Sequence, residues 1–375
     1  MEKNAVYRIR NFGQSVWYDN IERSILTSGK LKKMVEEDGI CGVTSNPTIF
    51  EKAIIESSEY DLEIEELAGK NKTVEEICDN LTIKDVTLAA DILCKTYKET
   101  EEKDGYVSIE VPPRFAYDVD QTVSQAQKLF ERIGKDNIMI KVPATKEGAL
   151  SIEQLIAKGI NINATLIFSL SHYESVALAY IRGLEQLLRK GGDLKRVASV
   201  ASLFVSRIDT LVDKQINSLI QLEKNPEKKK DLEELKGKAA IANSKKVYQK
   251  FKEIFSLENF KKLERKGAKV QRPLWASTST KDAAYSDVKY VEELIGPDTV
   301  NTVPQVTLDA FRNHGKPRLS LEENMGVVED VLCRLEGYGI DLEEVCETLQ
   351  REGVEAFEKS FHNLLSTLKE KIKME

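Results

Sequence analysis

The chain has 375 residues, 41% hydrophobic and 31% charged, with a formal net charge of −7. That balance describes an ordinary soluble globular protein and argues against a general binder of nucleic acid or acidic membrane, since either needs a basic face. The length allows two or three domains, although an α/β barrel often uses as many residues in one.

The first strand candidate is Ser15-Val16-Trp17-Tyr18, ending at Asp19. A helical stretch follows, broken near Gly29, resuming through Leu31-Lys32-Lys33-Met34-Val35 and stopping at Gly39. Ile40-Cys41-Gly42-Val43-Thr44 reads as a second strand closed by Ser45-Asn46-Pro47, and 48–100 as charged helix with breaks near Asn71 and Asn80. Val107-Ser108-Ile109-Glu110-Val111 alternates strictly and ends at Pro112-Pro113, a third strand. Asp120 to Ile133 is an amphipathic helix with Gly134 past its end, and Ile138 to Thr145 is the fourth strand. Helix is expected over Glu147 to Lys158, then a strand over Asn161 to Phe168. In that fifth strand Asn163 and Thr165 should share one face, and Ile162, Ala164, Leu166 and Phe168 the other. A helix from Ser171 to Leu188 precedes the sixth strand, Val197 to Val205.

Residues 209–268 are rich in lysine and glutamate, with a loop expected at Asn225-Pro226. They read as helices decorating the main domain. Pro273 to Ser277 and Thr299 to Val303 complete eight strands, and 319–375 is a helical tail split near Gly337 and Gly339. Strands alternating with helices in this way point to a single (β/α)8 TIM barrel domain spanning 1–375. A doubly wound sheet is the alternative, but no glycine-rich phosphate turn follows any strand.

Cys41, Cys78, Cys94, Cys333 and Cys346 are scattered, which suits reduced thiols. The three histidines lie far from any cysteine pair, so a zinc site is not expected. Met1 is followed by the polar Glu2-Lys3-Asn4, and no run approaches the roughly twenty apolar residues of a membrane span. A cytoplasmic protein is expected, with monomer and homodimer both open.

Chemistry centres on Ile138-Met139-Ile140-Lys141-Val142-Pro143. Alternation puts Lys141 on the inner side of a buried strand, near its C-terminal end. Burying an ammonium favours the neutral amine, the nucleophile that forms Schiff bases with ketones. A strand-end lysine can also simply snorkel to water. Barrel active sites lie at the C-terminal strand ends. Polar residues recur there: Asp19, Thr44 with Asn46, Glu110, Lys141, Asn163 with Thr165, Ser202 and Ser277. Each alone has a structural explanation as a helix cap, a turn residue or filler. Their convergence on one mouth is harder to dismiss, because unpaired polar groups there would cost roughly a few kcal/mol each. Asp19 and Glu110 can supply general acid and base steps, Thr165 can position a water, and the amides of Asn46 and Asn163 can bind hydroxyls or carbonyls.

These residues carry a resemblance. Ser15 to Ile21, Gly42-Val43-Thr44-Ser45-Asn46-Pro47, Ile138 to Pro143, Asn161 to Phe168 and Ser202-Leu203-Phe204-Val205-Ser206-Arg207 together resemble the transaldolase family, over essentially the whole chain. Gly339-Ile340-Asp341-Leu342 and Glu352-Gly353-Val354 in the tail resemble the family's longer bacterial form. The resemblance implies a single α/β barrel and a cofactor-free reaction of the non-oxidative pentose phosphate pathway. A dihydroxyacetone unit would pass from sedoheptulose 7-phosphate or fructose 6-phosphate to glyceraldehyde 3-phosphate or erythrose 4-phosphate. By position, Lys141 matches the Schiff-base lysine and Asp19 the carboxylate that works on the donor hydroxyl. Glu110 and Thr165 match the pair that holds the catalytic water. Asn46 and Asn163 match amides on the dihydroxyacetone region, Ser202 and Ser277 substrate-contacting serines, Phe204 an aromatic beside the water, and Arg207 a phosphate-binding arginine.

The short fructose 6-phosphate aldolases, which resemble the same family, typically carry Gln and Tyr where Glu110 and Phe204 stand. Many members carry a second arginine just after the seventh strand; here Ser277-Thr278-Ser279-Thr280-Lys281 stands instead, and Lys281 is the candidate replacement. Arg207 could otherwise form a surface salt bridge with Asp209. Three other readings compete. One is a lysine aldolase that cleaves without an acceptor, another a non-catalytic sugar-phosphate-binding barrel or a scaffold using the charged segment 209–268, and the weakest a metal-dependent aldolase.

Overall fold

Eight apolar runs pair side by side and close on themselves in the structure, a computed structural model that describes residues 3–373. Residues 1–2 and 374–375 of the expected domain lie outside the described residues. The strands are β1 (Gln14–Tyr18), β2 (Gly42–Val43), β3 (Tyr106–Glu110), β4 (Ile138–Pro143), β5 (Ile162–Ile167), β6 (Ser199–Phe204), β7 (Arg272–Ala276) and β8 (Thr299–Val303). Every neighbouring pair is parallel, and β8 closes onto β1 in register from Gln14 opposite Thr299 to Tyr18 opposite Val303. Helices cover the outside, so nearly every strand residue is buried, which is why these runs are apolar or small on both faces. The expected (β/α)8 barrel with extra helices is the observed fold.

Two strands depart from the reading of the sequence. β2 is only Gly42–Val43. A Cβ at Gly42 would stand 2.4 Å from the Trp17 indole, so this strand gives up a side chain to make room for a buried ring. The ladder still extends past it, since Cys41 N donates to Val16 O at 3.0 Å and Thr44 N to Tyr18 O at 2.9 Å. In β5 the alternation stops at Leu166, whose φ is +57°, and the pairing with β6 shifts between Ala164 and Ile167. This bulge ends the simple two-face pattern immediately after Thr165.

Strand ends pass directly into capped helices. Asn46 accepts from Ile49 N to start Pro47–Glu56, Thr145 from Gly148 N to start Lys146–Ile156, and Ser169 from His172 N to start Leu170–Arg189. Asn80 does not mark a break. It sits inside the helix Val74–Glu99 and satisfies its amide on Glu76 O at 2.6 Å. The lysine- and glutamate-rich region forms Ser206–Leu222, Pro226–Leu235, Ala239–Ser256 and Glu258–Glu264. Its charge hides one strongly apolar stripe: Val247, Tyr248, Phe251 and Phe255 of Ala239–Ser256 are all buried.

The tail forms Met325–Gly337 and the long helix Leu342–Lys373, with Gly339 (φ +77°) between them. That last helix packs along Pro47–Glu56, where Thr48 and Ser360 hydroxyls lie 2.8 Å apart, and it carries Gln350 and Phe357 to the C-terminal ends of the strands. Among the described residues no helix is long and apolar enough to cross a membrane.

At the other end of the barrel sits a buried ionic network. Arg272, at the start of β7, pairs with Asp104 at 2.9 Å, and Asp104 also accepts from Ser15 Oγ at 2.7 Å and Trp17 Nε1 at 3.0 Å. Burial pushes the Asp104 carboxyl up, but the Arg272 charge and these hydrogen bonds win and hold it below the ordinary value.

Candidate active site

Register places the central residues before any side chain is considered. Glu110 stands opposite Lys141 and Lys141 opposite Asn163, so three polar side chains from β3, β4 and β5 form one row across the barrel. Pro143 stands opposite Thr165, which puts that hydroxyl one step nearer the mouth.

Lys141 is 5% exposed, and its Nζ donates to Ser45 O at 2.9 Å. The nearest carboxylate is Glu110, with Oε2 3.4 Å away. Neither Glu110 oxygen accepts a hydrogen bond from the protein, and the buried Thr165 hydroxyl has no partner either. Such groups are expensive to bury unless something else binds them. Burial pushes the Glu110 carboxyl up, against the opposing charge of Lys141. A carboxyl shifted in this direction takes up a proton more readily than an ordinary one and can return it.

Asp19 follows β1 and accepts from Thr44 Oγ1 at 2.7 Å. Thr302 Oγ1 lies 2.6 Å from Thr44 Oγ1, so with Thr44 donating to Asp19, Thr302 donates to Thr44. Burial raises the Asp19 pKa, opposed by the Thr44 hydrogen bond and by the charges of Lys141 and Lys281.

A cavity of about 830 Å³ opens at this end of the barrel. Of the residues singled out in the sequence, Asp19, Thr44, Asn46, Lys141, Thr165, Ser202, Phe204, Arg207, Ser277 and Lys281 line it. Asn163 does not. It is fully buried, with Nδ2 donating to Ser108 Oγ at 3.0 Å and Oδ1 accepting from Ser202 Oγ at 2.7 Å. Glu110 instead faces a second cavity of about 540 Å³, shared with Ser45, Asn46, Phe50 and Cys78. The Oδ1 of Asn46 is committed to its helix cap, which leaves the amide nitrogen for the cavity.

The Phe204 ring lies 5.5 Å from Phe168 and 6.4 Å from Phe357, and the Arg207 guanidinium sits 5.4 Å over its face. Arg207 makes no salt bridge with Asp209. That carboxylate is taken by Ala240 N at 2.7 Å and Tyr290 Oη at 2.8 Å, with Lys289 at 3.6 Å. Burial draws the Arg207 pKa down, opposed by Glu352. Lys281 is exposed on the rim and pairs with no carboxylate among the described residues. Ser277 has φ +56° and shares a 3.0 Å hydroxyl contact with Ser206. Strained backbone at a non-glycine residue thus occurs at the ends of both β5 and β7, beside the cavity.

Thr302 and Phe357 belong to this cavity and escaped the sequence reading. Thr302 had a signal, a polar residue near the end of an alternating strand. Phe357 had none, because nothing local tells a helix that one of its faces will cover a barrel mouth; its ring centre is 5.9 Å from Lys141 Nζ. Among the described residues, His172, Glu343 and Glu347 are gathered closely enough to hold a metal ion, but they share no residue with this cavity.

Residues 16–368 match the profile of a family described as Transaldolase/Fructose-6-phosphate aldolase. The chain is 46% identical to a protein of Trichodesmium erythraeum named Transaldolase, an alignment covering 100% of this chain and 99% of that one. Identity is 45% to a protein of Nostoc punctiforme named Transaldolase 2, again over 100% and 99%. A protein of Saccharopolyspora erythraea named Transaldolase is 43% identical over 96% of this chain and 95% of its own.

Proposed function

The chain belongs to the transaldolase/fructose-6-phosphate aldolase family, and from that premise we propose that it moves a dihydroxyacetone unit between sugar phosphates through a Schiff base on Lys141. The donor is fructose 6-phosphate or sedoheptulose 7-phosphate, and the acceptor erythrose 4-phosphate or glyceraldehyde 3-phosphate. The reaction is that of the non-oxidative pentose phosphate pathway and needs no cofactor. We place it in the cytoplasm, in a monomer or homodimer.

Lys141, having handed a proton to Glu110, attacks the donor's C2 carbonyl and gives a carbinolamine. Glu110, acting with a water held by Thr165, returns a proton to the departing hydroxyl, which leaves as water and creates the imine. Asp19 then takes the proton of the C4 hydroxyl, the C3–C4 bond breaks, and the aldose phosphate departs. Its bonding electron pair stays behind as an enamine on Lys141. The acceptor aldehyde is attacked by that enamine, Asp19 protonates the new alkoxide, and water hydrolyses the product imine. Asn46, Ser202 and Ser277 orient the three-carbon unit, with Asn163 holding Ser202 from below. Arg207 and Lys281 bind phosphate.

What carries this reading is Lys141 paired at 3.4 Å with a buried Glu110 carboxylate that accepts no hydrogen bond, and sharing its cavity with a Thr165 hydroxyl that has none either. Incubation with fructose 6-phosphate and sodium borohydride should add a reduced dihydroxyacetone unit to the intact mass, and Lys141→Ala should take none. Added erythrose 4-phosphate should turn over to sedoheptulose 7-phosphate, which separates transfer from simple cleavage. A folded protein that takes no adduct would sink the lysine mechanism and favour a sugar-phosphate-binding barrel.

A further inference from the structure

The tail helix Leu342–Lys373 does more than cover the mouth. Gln350, Gly353 and Phe357 fall at i, i+3 and i+7, on one face, and that face meets the ends of β4 and β5. Gln350 is buried, and its amide Nε2 donates both protons: to Ala144 O at 3.0 Å and to Leu166 O at 3.0 Å. Ala144 N in turn donates to Thr165 O at 2.7 Å. One side chain from the tail therefore ties together the strand that carries Lys141 and the strand that carries Thr165.

The tie falls at the weakest point of β5. Leu166 is in the left-handed region, which an L side chain resists, and it follows Thr165 directly. A Cβ at Gly353 would come within 2.9 Å of Leu166 Cδ2, so the helix also fits against the bulged side chain. His172 Nδ1 lies 3.4 Å from the Phe168 amide and 3.4 Å from Gln350 Nε2, so the bulge is not held by strand pairing alone. This gives the tail residues Glu352-Gly353-Val354 a physical setting that their sequence alone did not supply.

We propose that Gln350 is a positioning residue. It holds the Leu166 bulge in place and so aims the Thr165 hydroxyl at the Glu110–Lys141 pair, where the water of carbinolamine formation and breakdown is handled. The proposal rests on the Schiff-base reading above. Because Thr165 serves imine formation and hydrolysis alike, loss of its aim slows both directions and leaves the equilibrium extent of imine unchanged.

The full chain is used for the test. Q350M keeps the length and helix propensity of the side chain but donates nothing; Q350E puts a carboxylate against two carbonyls. Folding of each is verified by its thermal melt. Labelling of Lys141 from fructose 6-phosphate is followed by borohydride quenching at intervals and intact mass. In Q350M the half-time should lengthen about tenfold at unchanged final extent, with kcat falling and KM kept within about twofold. Q350E should be slower still at neutral pH and recover relative to wild type as the pH is lowered and its carboxyl becomes a donor, and it should do so equally in an H172N background, since His172 Nδ1 stands 3.4 Å from the Gln350 amide nitrogen. The double variant T165V/Q350M should label no more slowly than T165V alone.

A folded Q350M that labels at the wild-type rate, or whose effect multiplies with that of T165V, or that raises KM at unchanged kcat, overturns the proposal. If Q350M does not fold, recovery of Q350E in acid upholds the proposal and its absence overturns it. A wild type that takes no label defeats the Schiff-base reading instead. The crystal structure of Q350M then decides the tie alone: Leu166 leaving positive φ upholds it, and Leu166 unmoved overturns it.

Discussion

Two of the buried ion pairs stand at opposite ends of the barrel, and they are built in opposite ways. Arg272 and Asp104 meet at 2.9 Å, and the carboxylate is also held by Ser15 and Trp17, while Arg272 reaches Ser15 Oγ at 2.9 Å and Lys103 O at 2.6 Å. Lys141 and Glu110 stand 3.4 Å apart, with both carboxylate oxygens unbonded. Burial is comparable, with side chains 7% and 9% exposed in the first pair and 6% and 3% in the second. Hydrogen bonding is what differs, and it reverses the electrostatics. Burial alone would raise both carboxyls; only at Asp104 do the arginine and the hydrogen bonds overcome it. A satisfied pair is a strut, and an unsatisfied one is poised to exchange a proton with something that enters.

Substitution should therefore have crossed effects at the two ends. E110Q removes the proton acceptor and donor beside Lys141, so kcat should fall about 10²–10⁴-fold. Its unfolding free energy should change by about 1 kcal/mol or less, since no hydrogen bond to Glu110 is lost. D104N should do the reverse. It leaves Arg272 buried without its carboxylate, at a cost of about 3–5 kcal/mol in urea unfolding, while kcat per folded molecule is retained. Replacing both partners, D104L with R272M, should recover most of that loss, because a well-packed apolar pair can substitute for a buried ionic one. A large loss of turnover in folded D104N would mean that the two ends are coupled and that Asp104 is more than a strut.

The pH dependence sharpens the same contrast. Asp104 has a folded pKa below its ordinary 3.8, so its contribution is fully present above that value and is lost as the pH falls through the folded one. Glu110 has a folded pKa above its ordinary 4.5, so its contribution is present below that value and is lost as the pH rises through the folded one. Urea unfolding between about pH 3 and pH 7 should show the gap between wild type and D104N closing in acid. E110Q should instead gain on the wild type as the pH rises from about 4.5. Parallel curves for the two variants would refute the assignment.

Much of the barrel and one of its two ends were readable without coordinates; the other end was not. The eight strands and the row of polar residues near their ends follow from period-two alternation and its punctuation, which are local. The bulge at Leu166 is not local. Nothing in Asn163-Ala164-Thr165-Leu166-Ile167 announces a left-handed leucine, because the groups that hold it, Gln350 and Gly353, come from the far end of the chain. Phe357 was missed for the same reason. Asn80 misled because a residue that often ends helices can satisfy its amide on the preceding turn. The Arg272–Asp104 strut left no trace at all: an arginine before Pro273 and an aspartate in a charged loop both look like surface residues.

The smallest expected effects lie at the phosphate end, where a half-buried group is set against an exposed one. Arg207 lies over the Phe204 ring and feels the charge of Glu352, half-buried, with no carboxylate hydrogen-bonded to it among the described residues. A phosphate arriving there would gain a charge-assisted contact of about 1.5–3 kcal/mol, so R207A should raise KM for fructose 6-phosphate by about 10–100-fold. Lys281 is exposed on the rim, and its attraction is screened by water and salt. K281A should cost about 0.2–1 kcal/mol, a KM rise of about fivefold at most. The two should also separate with ionic strength. Raising salt from about 0.01 to about 0.15 M shortens the Debye length from about 30 to 8 Å, which should erase most of the K281A defect and little of the R207A defect. A K281A effect as large and as salt-resistant as that of R207A would place Lys281 in direct contact with the phosphate, as a full replacement for a second arginine.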